Sequence, residues 1–378
     1  MTDPSNTPEP AILATDAEQA LAERVRAAAA DGRRLAIRGG GSKAFYGNPV
    51  VADAELDCTG HRGVVAYEPT ELAITVRGGT PLAEVEALLG AHGQQLPFEP
   101  PHFAGGDAES PATIGGTVAA GLSGPRRPYA GSVRDALLGV RLLNGRGQVL
   151  DFGGRVMKNV AGYDVSRLMA GAMGVLGVLL EVSLKVIPRA PGSLTLVREE
   201  PLPRALELLR RFSRRALPIT ASAWVDGRLY LRIEGGEEAL AETHRIVEGL
   251  PLAAADTFWR ELCDQRLRFF FGDVPLWRLS LPPATAAGVT AGLDAGAPLV
   301  EWGGALRWLR GELPVERVRE TARAAGGHAT LFRVGAGPRP ADGVLTPLQP
   351  VPLRLHRNLK HAFDPAGILN PGRLYPDL

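Results

Sequence analysis

Residues 96–131 form a long Pro/Gly-rich stretch with neither helical nor strand periodicity. A structureless connection of that size inside a compact domain is uncommon without a functional reason, so the fold is expected to hold something along it. Upstream, Arg38-Gly39-Gly40-Gly41-Ser42-Lys43 directly follows a predicted strand at 34–38. Three glycines permit positive φ and close approach to a ligand, successive N–H groups make an anion-binding nest, and Ser42 and Lys43 add a hydroxyl donor and a positive charge. The pattern suits a pyrophosphate cradle, although any flexible turn has the same composition. It is neither a P-loop nor G-x-G-x-x-G, which disfavours an NAD-binding Rossmann enzyme. Within the long stretch, Pro111-Ala112-Thr113-Ile114-Gly115-Gly116-Thr117-Val118-Ala119-Ala120-Gly121 has side chains small enough for its amides to lie against a flat or phosphorylated ligand. Ile114 and Val118 would anchor it as a tight loop in the core.

The 378 residues, 45% hydrophobic, predict two or three structural units. Lys plus Arg number 42 against 41 Asp plus Glu, so no net field draws the molecule to nucleic acid or an anionic membrane. The two cysteines, Cys58 and Cys263, form no CxxC pair or disulfide framework, which fits a reducing, cytoplasmic compartment. The N-terminus lacks the basic and apolar regions of a secretory signal. The apolar run 168–180 falls short of the ~20 residues a spanning helix needs. The Arg-rich segment 204–215 places Ala205, Leu208, Leu209 and Phe212 on one helical stripe and reads as a solvated basic helix face or a partner surface.

A helix is expected at 17–30, capped by Asp16 and ended by Gly32, then strands at 34–38, 64–67 and 72–76 and a helix at 82–89. Strands follow at 138–143 and 148–152 around an Asn144-Gly145 turn, then a short helix at 164–170, a strand at 175–186 and a hinge at 188–192. The fold class is α+β: a disordered lead-in at 1–16, a two-subdomain ligand-binding domain at 17–190, a smaller α+β cap at 191–345, and a C-terminal segment at 346–378 that returns to the first domain.

RGGGSK, TIGGTVA, YAGSVRD (129–135), KNVAGYD (158–164), GAMGVLGV (171–178) and the terminal FDPAGILNPGR occur in an order and spacing that resemble the PCMH-type, vanillyl-alcohol-oxidase-like FAD-binding flavoproteins. LPFEPPHF (96–103) and VMKNVAGYDVSRLMAGAMGVLG (156–177) are most similar to the small FAD-binding subunits of bacterial glycolate oxidases. The resemblance implies FAD, with Arg38, Gly39, Gly40, Gly41, Ser42 and Lys43 at the pyrophosphate. It further implies Thr113, Gly115, Gly116, Val118 and Ala119 around the flavin, and Ser132 and Asp135 beside the dinucleotide. Gly174, Val175, Leu176, Gly177 and Val178 would reach the adenine end, and Asn370 and Arg373 would close over the flavin. Ser42-Lys43 stands where some members carry the histidine that bonds FAD, so noncovalent FAD is expected.

The implied activity is oxidation of a small 2-hydroxy acid, glycolate to glyoxylate, beside a larger FAD-binding subunit and an iron–sulfur subunit, with any membrane association made through those partners. A self-sufficient 2-hydroxy-acid dehydrogenase, or a structural subunit with a vestigial flavin pocket, are the rival readings. Related dehydrogenases carry an H-x-G-D-G-N-x-H type motif that supplies a metal ligand and a base; this chain has none, and no metal is expected. His356 and His361 would stand about 140° apart on a helix, which is not ligand spacing. The catalytic residues are unassigned, with His102, Arg307 and His356 as candidates.

Overall fold

The computed structural model describes residues 15–103, 112–154 and 164–378. Pro111, the Lys158–Tyr163 part of KNVAGYD and most of the lead-in lie outside them.

Helix α1 (Asp16–Asp31) buries Leu21, Ala22, Val25 and Ala28 on one face. Its cap is Thr15, whose hydroxyl accepts from the Glu18 amide; Asp16 is already the first helical residue, and Gly32 ends the helix in the left-handed conformation. The chain then forms β1 (Leu35–Arg38) and a parallel partner that the sequence reading lacked, β2 (Ala54–Asp57). Next come β3 (Val64–Glu68), β4 (Ala73–Arg77), α2 (Leu82–Ala91), the short β5 (Gln94–Gln95), α3 (Ile114–Ala120), the single turns α4 (Arg127–Ala130) and α5 (Val133–Ala136), β6 (Leu137–Leu143), β7 (Val149–Gly153) and β8 (Val178–Lys185). An antiparallel sheet in the order β3-β4-β8-β6-β7 results, while β9 (Ile187–Pro188) pairs with β5.

Several expectations are corrected here. The 96–131 stretch contains helices α3 and α4. The 164–170 helix is a single 3-10 turn at Ser166–Leu168, and the 175–186 strand begins at Val178. In the β6–β7 turn the positive φ falls on Gly147, because Asn144 uses its side chain to accept the Arg146 and Gln148 amides.

After residues 189–192 the chain lays down β10 (Ser193–Glu199), α6 (Leu202–Phe212), β11 (Ile219–Val225), β12 (Arg228–Glu234), α7 (Glu237–Val247), β13 (Leu250–Pro251), α8 (Ala255–Cys263), β14 (Leu276–Ser280), β15 (Leu299–Glu301), β16 (Leu306–Arg310), α9 (Val315–Ala324) and β17 (His328–Arg333). Eight strands form one antiparallel sheet, β13-β10-β12-β11-β15-β16-β14-β17. One face packs on helices α6 and α9 through Leu206, Leu209, Val318 and Ala322. The other presents Ala221, Ala223, Leu299, Leu306 and Trp308 to Tyr46, Leu122 and Met173 of the first unit.

A buried ion cluster joins the two units. Arg126 reaches Glu99 at 3.3 Å and Glu234 at 2.8 Å, and Arg232 reaches Glu99 at 2.8 Å. Two cations and two carboxylates cancel, so each is paired despite its burial.

The last helix, α10 (Pro350–Phe363), delivers the tail back to β1. Leu35 donates its amide to Ile368 at 2.7 Å, and Ile368 and Leu369 join the core with α1.

Candidate functional site

A cleft of about 280 Å³ opens where four backbone segments converge: 36–44 after β1, Gly78 after β4, 113–120 at α3, and 172–179 before and at the start of β8. Residues Asn370 and Arg373 of the tail also line it. Strand β1 aims the Arg38–Lys43 loop into the cleft because its partner β2 holds it only as far as Arg38, whose carbonyl accepts from Cys58 at 2.8 Å. Beyond that point the amides of residues 39–43 make no hydrogen bond within the protein among the described residues. Five consecutive amides without a protein partner, half-buried or exposed at a cleft wall, are open to solvent or to a bound acceptor, and an anion suits such a row. Gly41, at φ +81°, provides the left-handed kink that curls the loop.

The opposite wall is α3. Thr113 caps it, accepting from the Gly116 amide at 3.3 Å, and Ile114 and Val118 are fully buried beneath. Gly115 donates to Gly78 at 2.8 Å, and a Cβ on Gly115 would stand 2.8 Å from the same carbonyl oxygen. Backbone therefore meets backbone, and the wall is flat, lined by Gly115, Gly116, Ala119 and Ala120.

The tail residues act as clamps. Asn370 accepts the Ile37 amide at 2.7 Å and donates to the Met173 carbonyl at 2.7 Å, tying β1 to the 172–178 segment. Arg373 donates to the carbonyls of Asn48 at 2.9 Å and Ala44 at 3.0 Å, fixing the far side of the glycine loop. Behind them Lys360 is buried, with its ammonium on Asp364 at 2.7 Å and on the Val175 and Leu369 carbonyls at 2.9 and 2.6 Å.

Of the residues expected at the cofactor, Arg38, Gly39, Gly40, Gly41, Ser42, Lys43, Thr113, Gly115, Gly116, Ala119, Gly174, Gly177, Val178, Asn370 and Arg373 line this cleft. Val118, Val175 and Leu176 sit behind its wall in the core. Ser132 and Asp135 form a capping box on α5, with each side chain occupied by the other's backbone or hydroxyl, and are not among the lining residues.

The catalytic candidates lie elsewhere. Arg307 has no exposure and spends its guanidinium on the carbonyls of Thr285, Ala286 and Ala287, so it braces a loop. His356 is half-buried on α10, against Pro352 and Tyr375. His102 bonds Glu86 at 2.9 Å and lines a separate cleft of about 550 Å³ around the ion cluster. That cleft is roomier, but its charges neutralise one another, whereas the smaller one holds the unsatisfied amides. Sequence reading missed Tyr46, Glu55 and Met173, which line the 280 Å³ cleft, and Arg278 and Glu301 on the facing sheet. Burial raises the Glu301 carboxyl to about 7 despite its bond to Trp308 Nε1 at 2.7 Å. Among the described residues no group of His, Cys, Asp and Glu could hold a metal ion.

A sequence model of an FAD binding domain matches residues 9–153, and one of the C-terminal domain of FAD linked oxidases matches residues 335–374. The glycolate oxidase subunit GlcE of Escherichia coli (strain K12) is 46% identical over 364 residues, spanning 96% of this chain and 99% of that one. The chain belongs to the FAD-linked oxidase family. It is a flavoprotein of the oxidoreductase class, and the cleft residues fit FAD: the glycine loop offers amides to a pyrophosphate, and the flat α3 wall offers a face to a planar ring. Glycolate oxidase subunit GlcD of Bacillus subtilis (strain 168) is 28% identical over 134 residues, 35% of this chain and 27% of that one. Among solved structures, 4-ethylphenol oxidase from Gulosibacter chungangensis superposes with a TM-score of 0.68 over 94% of this chain and 87% of that one, at 15% identity, which shows the shared fold.

If the cleft holds FAD, Lys43 gives the binding a pH signature. Its ammonium reaches Ser42 Oγ at 3.3 Å and lies 5.7 Å from the Phe103 ring centroid. Burial lowers its pKa to about 8 against the pull of Asp264, Cys263 and Glu86. Without FAD the charge is lost above that pH, while a neighbouring phosphate holds it on and raises the pKa, so binding takes up a proton above pH 8. FAD affinity should be flat below pH 8 and fall by up to about tenfold per unit above it. Titrating FAD into FAD-free protein at pH 7 and above 9 measures this; equal affinities would remove Lys43 from the phosphate.

Proposed function

We propose that this flavoprotein is the FAD-carrying subunit of a glycolate-oxidase-like complex that oxidises glycolate, a small 2-hydroxy acid, to glyoxylate. A larger FAD-binding subunit and an iron–sulfur subunit are its partners. The near-full-length likeness to GlcE supports this reading, and the row of five amides without protein partners, on residues that line the cleft, is the observation that carries it.

Bound FAD would supply the acceptor for the hydride leaving the hydroxyl-bearing carbon. The chain's own residues do the rest of the holding: the 39–43 amides and Lys43 take the pyrophosphate, and Asn370 and Arg373 keep the loop closed. Ser42 and Lys43 offer no histidine for a covalent bond, which supports noncovalent FAD. Onward electron transfer belongs to the partner, since a four-iron cluster needs about four thiolates and this chain has Cys58 and Cys263. Burial pushes the Cys58 thiol up to about 12. The expected location is cytoplasmic, with contact to the inner membrane face through partners; no described helix is long and apolar enough to cross a membrane.

The test is anaerobic. The reconstituted complex is mixed with glycolate and the visible flavin absorbance is followed; the loss should equal both flavins. Loss of one flavin's amplitude would overturn the reading and leave this chain a structural subunit. Bleaching of the isolated chain by glycolate or D-lactate would make it a self-sufficient dehydrogenase.

A further inference from the structure

Where the FAD cleft meets the eight-stranded sheet, two polar groups stand without partners among the described residues. Arg278, on β14, makes no hydrogen bond and no ion pair; its guanidinium lies 5.1 Å from the Trp302 ring centroid. Tyr46, which lines the FAD cleft and is buried, makes no hydrogen bond through its hydroxyl. Burial raises the Tyr46 phenol, and the Arg278 charge partly offsets that rise. Phe332 connects them, with its ring 5.0 Å from that of Tyr46 and 5.0 Å from that of Trp308, which is the register partner of Arg278 across β14 and β16. A small cavity beside it is lined by Arg278, Glu301 and Gln265, whose buried carboxamide oxygen is also unpartnered.

An unpaired, largely desolvated guanidinium is costly unless something brings it an anion. Arg278 is half-buried, whereas the fully buried arginines are engaged: Arg126 and Arg232 by carboxylates, Arg307 by three carbonyls, Arg319 by Asp342 at 2.6 Å and by the Gly343 carbonyl; half-buried Arg333 lies over the Phe45 and Phe103 rings, also without a polar partner among the described residues. Glu301 does not neutralise Arg278 fully, because burial keeps its carboxyl near 7 and its Oε1 accepts from Trp308.

We propose that Arg278 and the Tyr46 hydroxyl form a binding subsite for the carboxylate of a small organic acid at the cap-facing end of the FAD cleft. Arg278 provides the paired N–H donors that match a carboxylate, Tyr46 a third donor, and Trp302 the flat support that holds the guanidinium in place. This deepens the 2-hydroxy-acid reading and rests on it for the identity of the acid.

The probe is oxalate, which has glycolate's size and no hydrogen on carbon, so it binds without reacting. FAD content per chain is measured first. Oxalate binding is then followed by tryptophan fluorescence, since Trp302 touches Arg278, in FAD-loaded and FAD-free protein alike. Wild type should bind oxalate, Arg278→Gln should bind it about 10- to 100-fold more weakly with FAD content unchanged, Arg278→Lys should recover part of the loss, and Tyr46→Phe should give a smaller one. Equal affinity in wild type and Arg278→Gln, or no binding to wild type, would overturn the subsite. Absence of FAD from wild type with oxalate binding intact would instead count against the flavin-subunit reading alone.

Discussion

Gly41→Val should leave a folded chain that has lost its FAD. Gly41 sits at φ +81°, and its nearest neighbour is the Arg38 side chain at 3.4 Å, so the space admits a Cβ but the backbone conformation does not. A β-branched residue is a genuine outlier in that region, at a cost of order 1–3 kcal/mol, and the loop relieves it by turning φ negative. That rotation redirects the amides of 41–43. Losing two charge-assisted hydrogen bonds to phosphate, each worth about 1.5–3 kcal/mol, weakens binding by roughly 100- to 10,000-fold. The core under the loop, Leu35, Leu56 and Leu180, is untouched. Circular dichroism checks the fold and flavin absorbance per chain checks the binding; a folded variant with normal FAD content would place the pyrophosphate elsewhere.

Asp364→Ala should be the most destabilising single change at the tail. Asp364 is 1% exposed and accepts from Lys360, from the Leu369 amide at 2.7 Å and from the Ile368 amide at 3.2 Å. Its removal strands a buried ammonium among carbonyls and orphans two amides, a loss of about 3–5 kcal/mol by comparison with other broken buried pairs. The tail carries the Asn370 and Arg373 clamps, so FAD content should fall although Asp364 does not line the cleft. Asp364→Asn, which keeps an acceptor for the Ile368 amide, should cost less. Urea unfolding with flavin content measured in parallel decides it; a loss under about 1 kcal/mol would show that the tail is held by other contacts.

The glycine loop at the cleft is legible because its signal is local: a strand, then glycines, then Ser42-Lys43. Helix α1 was legible from Leu21, Val25 and Ala28, and its end from Gly32. Helix α3 was not. Gly115 and Gly116 each disfavour a helix by about 1 kcal/mol relative to alanine, so the sequence reads as a loop until the burial of Ile114 and Val118 and the Gly78–Gly115 contact supply the stabilisation. The Ser132-x-x-Asp135 spacing is itself a capping-box pattern, but local sequence did not separate that role from ligand contact.

The different surroundings of Arg278 and Arg307 have a register as their cause. Strands β14 and β16 pair Arg278 with Trp308 and Leu279 with Arg307, which sends the two arginines to opposite faces of the sheet. Each strand alone is a charged residue among apolar ones, LWRLS and LRWLR, and only the pairing says which arginine faces the flavin unit.

The claim that joins these observations is that the cleft holds FAD through backbone amides and without a covalent bond. The direct measurement is acid precipitation of the purified chain followed by flavin assay of both fractions. One FAD per chain, all in the supernatant, is expected; flavin retained in the pellet would contradict the noncovalent site, and a colourless chain that takes up no FAD would contradict the site itself.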